Sequence, residues 1–422
     1  DIHPHAYHMN EGHSAFMILE RIRHLCLTRG LSFAAAREAV RGDSIFTTHT
    51  PVDAGNERFS ADLMHRYFDD WCQQLGVDWN DLMKLGSRGG KSADFEMTLL
   101  ALNHAMRRNG VSKLHGGVSR AMWQFNWKGL SAEEVPIDAI TNGVHPATFT
   151  GTPVARVLTQ TVGSDWMFLP ADAPQWEKVT EIPDSLLWQA HEQQKEALLA
   201  LLRKTSPRSF QKAAENWSVP PLVIGFARRF APYKRADLLL ADTKRLTRIL
   251  SEPHRPAIII FSGKAHPADG QGGELIHRVI EASQSPELAG RIFFIPNYNL
   301  DIARCMVQGC DVWLNTPRRP YEASGTSGQK AAPNGTLNLS VSDGWWCEGD
   351  NGENGWTIGP QVTSLHDMPK CQSDYADADS LYTLLENEIL PLYFSRSSNG
   401  LPHGWIARMK NSIAALTPRF NS

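Results

Sequence analysis

Pro221-Leu-Val-Ile-Gly-Phe226, Ala257-Ile-Ile-Ile-Phe261, Arg291-Ile-Phe-Phe-Ile295 and Asp311-Val-Trp-Leu-Asn315 are four short apolar runs. Helix-like segments near 234–251, 272–283 and 300–308 separate them. Strand and helix alternating at this spacing predict βαβ units and a parallel, doubly wound sheet, an α/β fold. In such a sheet ligands sit at the carboxyl ends of the strands, so the loops that follow the runs are where chemistry is sought.

Upstream the periodicity is different. Residues 12–40 carry Phe16, Leu19, Ile22 and Leu25 at helical spacing, and residues 92–109 carry Met97, Leu100, Leu102 and Met106, so both stretches predict helices packed on a core. The composition shifts near Thr141-Asn-Gly-Val-His-Pro146, and a proline-rich stretch at 167–184 predicts an irregular connector. A chain of 422 residues has room for two domains.

The bulk numbers exclude several classes. With 42% apolar and 21% charged residues the composition is that of a globular protein, and no run of about 18 apolar residues predicts a membrane span. A net charge of −3 with scattered Lys and Arg leaves no electrostatic footprint for nucleic acid. The six cysteines form no C-x-x-C pair and read as reduced thiols. The first residues hold no basic region followed by an apolar stretch, so nothing reads as a signal peptide and a cytoplasmic protein is expected. They also lack a starting Met, which suggests a fragment or a processed chain.

Three loops carry candidate chemistry. Ala227-Arg-Arg-Phe-Ala-Pro-Tyr-Lys-Arg235 sets Arg228, Arg229, Lys234 and Arg235 at a strand end before a helix, where they would gather around phosphate. On charge alone a solvated basic loop reads the same way. Ser262-Gly-Lys-Ala-His-Pro-Ala-Asp-Gly-Gln-Gly-Gly273 lacks the earlier Gly and the following Ser or Thr of a P-loop, which argues against a nucleoside triphosphatase. Tyr321-Glu-Ala-Ser-Gly-Thr-Ser-Gly-Gln-Lys-Ala-Ala-Pro-Asn-Gly335 permits close backbone approach to a ligand. Lys330, in so uncharged a stretch, would have a lowered pKa suited to a carbonyl cofactor, with Thr326 and neighbouring amides suited to phosphate. Composition alone reads the same segment as a flexible loop.

The histidines near the start are weaker signals. His8-Met-Asn-Glu-Gly-His13 misses the H-x-x-E-H zinc pattern by one residue, so His8 and His13 would not share a helix face and no metal site is expected. His49 reads either as a buried, hydrogen-bonded histidine or as a ligand contact. The 13 tryptophans read mainly as core.

Taken in order, His8-Met-Asn-Glu-Gly-His-Ser-Ala-Phe16, Thr48-His-Thr-Pro-Val52, Asn103-His-Ala-Met-Arg-Arg-Asn-Gly-Val111, Thr141-Asn-Gly-Val144, Arg229-Phe-Ala-Pro-Tyr-Lys-Arg235, Ser262-Gly-Lys-Ala265, Asn297-Tyr298 and Glu322-Ala-Ser-Gly-Thr326 resemble the glycogen or α-glucan phosphorylase family, in its short bacterial and archaeal branch. The match covers nearly the whole chain. The resemblance implies a GT-B glycosyltransferase architecture of the phosphorylase type, two Rossmann-like domains facing a cleft. Residues 1–142 would be the remainder of the N-terminal domain. Residues 143–422 would form the C-terminal one, with a last helix near 404–416 packing back on the first. The family has further sequence before His8, including a glycine-rich closing loop, and a little after the end, so a fragment with an incomplete first domain is expected.

The same resemblance assigns roles. Lys330 would carry pyridoxal 5′-phosphate covalently as a Schiff base, with Thr326, Ser327 and Arg228 on the cofactor phosphate and Tyr298 beside its ring. Arg228 stands where many members have Lys, and Asn299 replaces an Arg found in many members. Arg229 and Lys234 would hold the substrate phosphate, with Tyr233 between sugar and phosphate. His49, Asn142, Glu322, Ser324 and Gly325 would hold glucose hydroxyls. The implied reaction is reversible phosphorolysis of a terminal α-1,4-linked glucose with inorganic phosphate, giving α-D-glucose 1-phosphate with retention. Substrate phosphate would act as the acid, so no pair of protein carboxylates is needed, unlike a hydrolase.

The expected partners are an α-1,4-glucan and inorganic phosphate, with neither nucleic acid nor membrane. A homo-oligomer or a complementing N-terminal chain is left open. Two other classes remain: a non-catalytic half that completes a cleft with a separate chain, and a nucleotide-sugar glycosyltransferase. An aminotransferase-like use of the cofactor would need a carboxylate on the ring nitrogen, which the sequence does not identify.

Overall fold

The computed structural model describes residues 4–88, 94–215 and 217–422. The chain forms two compact units, Asp1–Thr141 and Asn142–Ser422.

The first unit contains the strands β1 (Tyr7–Asn10), β2 (Ser44–Thr47), β3 (Arg58–Phe59), β4 (Phe95–Glu96), β5 (Arg107–Gly110) and β6 (Asp138–Ala139). Strands β1, β2, β5 and β6 lie side by side in that order, all parallel, while β3 and β4 form a small antiparallel pair. The helical pattern at 12–40 is two helices, Phe16–Arg29 and Phe33–Gly42. Gly30 closes the first in a left-handed conformation, φ 63°, and the Ser32 hydroxyl accepts from the Ala35 N–H to start the second. The pattern at 92–109 is shorter than expected. Its helix is Met97–Asn103, buried along its first six residues. Met106 lies outside it and exposed, and Arg107-Arg-Asn-Gly110 is a strand. Pairing of its backbone with β2 and β6 makes that polar segment a strand without any apolar alternation.

The second unit contains β7 (Leu222–Ala227), β8 (Ala257–Ser262), β9 (Ile292–Ile295), β10 (Val312–Asn315), β11 (Leu337–Val341) and β12 (Gly355–Ile358). They form one parallel sheet in the order β12-β11-β10-β7-β8-β9. The chain builds outward from β7 to β9, then crosses to β10 and builds outward the other way. The strand order therefore reverses between β7 and β10, which makes their carboxyl ends the topological switch point of a doubly wound sheet.

Successive residues of β7 face opposite sides, both buried. Leu222, Ile224 and Phe226 join Ile259, Phe261 and Leu339 in one core. Val223 joins Ile258, Ile260, Trp313 and, from flanking helices, Leu198 and Met306 in the other. The crossover helices are Thr243–Leu250, Gly270–Gln284 and Leu300–Gly309. The first starts later than the sequence pattern at 234–251 suggests, because Pro232 and a left-handed Arg235 (φ 46°) hold the chain in short 3₁₀ turns until Asp242 caps the helix. The segment 167–184 is irregular, with 3₁₀ turns over Trp166–Phe168 and Pro174–Glu181. The terminal helix, His403–Leu416, packs within this unit against the Pro174–Glu181 and Ala332–Asn334 turns. No helix of the described residues is long and apolar enough to cross a membrane.

Candidate functional site

At the switch point, the loop after β7 meets the segment after β10. Arg228 follows directly on β7 and is buried, with its Nη2 donating to Glu322 Oε2 at 2.6 Å. Lys234, in the Pro232–Lys234 turn, donates from Nζ to both Glu322 oxygens at 2.8 and 3.0 Å. One carboxylate thus serves two buried cations. Burial opposes ionisation of Glu322, and the two cations overcome it and hold the carboxyl below its ordinary range. Lys234 bears the imbalance: burial, with Arg228 nearby, pulls its ammonium down to about 8 against the pull of Glu322. Among the described residues Arg228 Nε and Nη1 are buried with no hydrogen-bond partner, an arrangement that favours an acceptor such as phosphate.

Arg229 is exposed, and its charge lowers the Tyr233 hydroxyl against the effect of burial. The Tyr233 ring lies 4.6 Å from Lys234 Nζ, and burial together with the Glu322 charge pushes its hydroxyl up to about 12. Arg235 departs from the expected phosphate cluster. It turns away to the carbonyls of Thr316 and Pro317 and to Asp374 and Asp377, so it braces the two loops.

The Glu322–Gly325 arch is shaped from behind by the turn after β11. Asp343 accepts from the Glu322 N–H at 2.9 Å and the Gly344 N–H at 2.8 Å, and the Trp345 N–H donates to Ser324 O at 2.9 Å. Gly344, at φ 55°, comes so close that a Cβ there would meet Ser324 O at 2.3 Å. The Asp343 carboxyl, fully enclosed and beside Glu322, is pushed up to about 8 by burial. Ser324 Oγ, on the arch, is buried without a partner among the described residues, and Gly325 sits at φ 86° against Glu322.

Lys330 does not lie in a flexible loop. The chain after Gly325 forms the helix Thr326–Ala331, continued by a 3₁₀ turn over Ala332–Asn334. Small residues in the 321–335 stretch allow tight helix packing: a Cβ on Gly328 would meet the Asn338 side chain at 2.2 Å. Lys330 Nζ lies 4.6 Å from the Phe149 ring, among the described residues it has no ion-pair partner, and burial lowers its pKa. A lysine so desolvated is a fit nucleophile for a carbonyl. Ser327 Oγ accepts from Trp313 Nε1 at 3.1 Å. Thr326 opens the helix. Gln329 Nε2 donates to the Asn142 carbonyl at 2.8 Å, which brings Asn142 to this helix. Tyr298, after β9, is half-buried and feels the Arg228 charge, though burial still raises its hydroxyl. Asn299 caps the Leu300–Gly309 helix.

The second unit therefore gathers Arg228, Tyr233, Lys234, Glu322, Ser324 and Gly325 into one cluster, with Arg229 at its edge and Tyr298 in the field of Arg228. Thr326, Ser327 and Lys330 lie on the following helix, with the Asn142 carbonyl against it. His49 belongs to the first unit. Its N–H donates to Glu11 Oε2 at 2.7 Å, its Nε2 lies 2.5 Å from Asn10 Oδ1, and burial lowers its pKa against the Glu11 charge. His8 is taken up by Thr47 at 2.7 Å, and among the described residues no group of three His, Cys, Asp or Glu is arranged to hold a metal.

Three residues escaped the sequence reading. Glu11, at φ 76°, ties the ends of β1 and β2 through His49 and Thr50. Asp343 shapes the Glu322 arch. Asn334 joins Lys330 O and Phe149 O, as donor, to the Gly151 N–H, as acceptor. Glu11 and Asn334 were inside quoted motifs, but only the fold gives them partners.

The second unit is thus a doubly wound α/β sheet with buried cations at its switch point and a desolvated lysine on the next helix. The sequence profile of the carbohydrate phosphorylase family matches residues 3–368. The chain is 43% identical over 427 residues to maltodextrin phosphorylase from Thermococcus litoralis, covering 100% of this chain and 50% of that protein. It is 38% identical to glycogen phosphorylase from Mycobacterium tuberculosis over 432 residues, 99% of this chain and 49% of the relative. Glycogen phosphorylase from Aquifex aeolicus is likewise 38% identical, over 99% of this chain and 60% of that protein. The chain belongs to the carbohydrate phosphorylase family, and it spans about half the length of the first two of these relatives.

Proposed function

We propose that the chain supplies the phosphate- and cofactor-binding half of an α-glucan phosphorylase. The reaction is reversible phosphorolysis of a terminal α-1,4-linked glucose to α-D-glucose 1-phosphate, with retention. The observation that carries this reading is the joint arrangement of Arg228 and Lys234 on Glu322 at the switch point, one helix away from a desolvated Lys330. Family membership supports it, as do the names of the relatives.

The residues present fit pyridoxal 5′-phosphate. The Lys330 amine suits its aldehyde, and the two unpartnered Arg228 N–H groups, with Thr326 and Ser327, suit its phosphate. When bound, the cofactor supplies a phosphate that assists the substrate phosphate as proton donor. Tyr298 would lie beside its ring. Arg229 and Lys234 hold the substrate phosphate, and Tyr233 separates it from the sugar. His49, Asn142, Glu322, Ser324 and Gly325 orient glucose hydroxyls. The C1–O bond to the glucan breaks as the leaving oxygen takes a proton from inorganic phosphate. A phosphate oxygen then forms the new C1–O bond, leaving a glucan one residue shorter. The cations that hold phosphate also stabilise charge developing as the bond breaks. A GT-B arrangement of two Rossmann-like domains, with residues 1–142 and 143–422 on either side of the cleft and the last helix returning to the first domain, would complete this site.

The test is formation of glucose 1-phosphate from maltodextrin and inorganic phosphate. It is run with the chain as it stands and extended to the length of its relatives, each with Lys330→Ala beside it. The expected result is cofactor-dependent product in the extended protein, lost in Lys330→Ala. Product that survives the substitution, or sugar transfer only from a nucleotide donor, contradicts the reading.

A further inference from the structure

Phe149 and Lys330 meet within the second unit, and one buried side chain ties their backbones together. Asn334 is fully buried, in the turn that follows the Lys330 helix. Its Nδ2 donates to Phe149 O at 3.0 Å and to Lys330 O at 3.1 Å, and its Oδ1 accepts from the Gly151 N–H at 2.8 Å. One amide thus bonds both the 149–151 segment and the main chain of the lysine itself. The segment has little slack elsewhere: Gln308 Nε2 also donates to Phe149 O, at 3.2 Å, and a Cβ on Gly151 would run into the Gln194 side chain. So held, Phe149 keeps its ring 4.6 Å from Lys330 Nζ. A ring face attracts an ammonium, but it also takes the place of water that an ammonium needs. The second effect wins. Burial lowers the Lys330 pKa, and among the described residues no charged group on its own helix or on the segments packed against it contributes to the shift.

We propose that Asn334 is a positioning residue that holds the Phe149 ring as a wall over the Lys330 amine, keeping water from the nitrogen that would join the cofactor. The proposal rests on the reading of Lys330 as the cofactor lysine. It adds an origin for that lysine's reactivity, in a segment far back along the chain. An amine attacks a carbonyl only through its unprotonated nitrogen, so excluding the water that would stabilise the ammonium leaves more of it ready to react at neutral pH.

Competitive trace labelling of the chain with acetic anhydride between about pH 6 and pH 11, followed by peptide mapping, reads the amine without any cofactor. Each profile is scaled to its own plateau at high pH, which removes differences in access. In the parent protein Lys330 is labelled with a midpoint below that of the exposed lysines. In Phe149→Ala the midpoint moves up towards theirs, so that below both midpoints the scaled labelling of Lys330 falls about threefold. Phe149→Tyr, which keeps the ring, retains the parent midpoint. Asn334→Ala moves the midpoint in the same direction as Phe149→Ala. Should it melt below the working temperature, Asn334→Ser, whose hydroxyl is too short to span the three bonds, carries the test with the same shift expected. An Asn334 with a merely structural role would lower the melting temperature and leave the midpoint in place, which overturns the proposal. A parent midpoint in Phe149→Ala overturns it too. Either result leaves the phosphorylase reading standing, because acetic anhydride asks nothing of the cofactor site.

Discussion

β7 and β10 have a buried carboxylate held between basic side chains at each of their two ends, and the two clusters are built to opposite purposes. At the amino ends Asp311 accepts from Lys195 Nζ at 2.6 Å, His191 Nε2 at 3.0 Å and the Val223 N–H at 2.7 Å. Lys195 is also 2.7 Å from the Tyr393 hydroxyl. Burial works against its ammonium, but Asp311 outweighs burial and holds it up at about 12. At the carboxyl ends Glu322 faces two cations, Lys234 is pulled down to about 8, and two Arg228 donors go unused among the described residues. The first cluster is balanced in charge, with His191 Nδ1 buried and unpartnered among the described residues, and pins the Asp184–Thr205 helix to the sheet. The second has a surplus of positive charge, which an added anion would resolve. Charge balance, more than burial or residue type, separates a structural ion cluster from a binding one.

That contrast breaks most readily under substitution. Lys195→Met leaves Asp311 without its full charge partner and is expected to cost about 3–5 kcal/mol in urea unfolding. A loss under about 1 kcal/mol would mean that the Asp311 cluster does not pin the helix. Arg228→Met leaves Glu322 still paired with Lys234, so stability is expected to fall by only about 1 kcal/mol. Phosphate affinity in the same variant falls about tenfold, or about 1.4 kcal/mol. An Arg228 variant as unstable as the Lys195 one would erase the distinction.

The more gradual effect is on pH dependence. Lys234 has a folded pKa depressed to about 8, so it sheds its proton as pH rises through that value and one cation is lost. Asp343, raised to about 8, ionises over the same range and adds a negative charge nearby. Both act in one direction: phosphate affinity falls above pH 8, with the Lys234 proton contributing up to about tenfold per pH unit. Lys234→Arg, charged throughout this range, should flatten most of that fall. A titration of phosphate binding across pH 7 to 10 checks both profiles.

Much of this was legible in the sequence. The strands β7 to β10 are apolar runs because the parallel sheet buries both faces, and burial on both faces writes itself directly into composition. The loops after them could be searched for chemistry before any partner was known. The basic loop and Lys330 stood out for that reason. What escaped had no local signature. β5 is Arg107-Arg-Asn-Gly110, a strand by backbone pairing alone. Thr326–Ala331 is helical although it follows and contains glycine, because Asn334 and Asn338 tie it down from later in the chain. Arg235 has the same charge as Lys234 one residue earlier, yet its left-handed backbone aims it at Asp377 instead of Glu322. Asp343, 21 residues beyond Glu322, is an ordinary acidic residue until β11 brings it beneath the arch.

The central claim is that Lys330 is the cofactor lysine of this phosphorylase-family chain. Incubation with pyridoxal 5′-phosphate, borohydride reduction and peptide mapping address it directly, in the chain as it stands and extended to the length of its relatives. One reduced pyridoxyl group is expected, on Lys330 in the Thr326–Ala331 helix. A label on another lysine, or none in the extended protein, would contradict it.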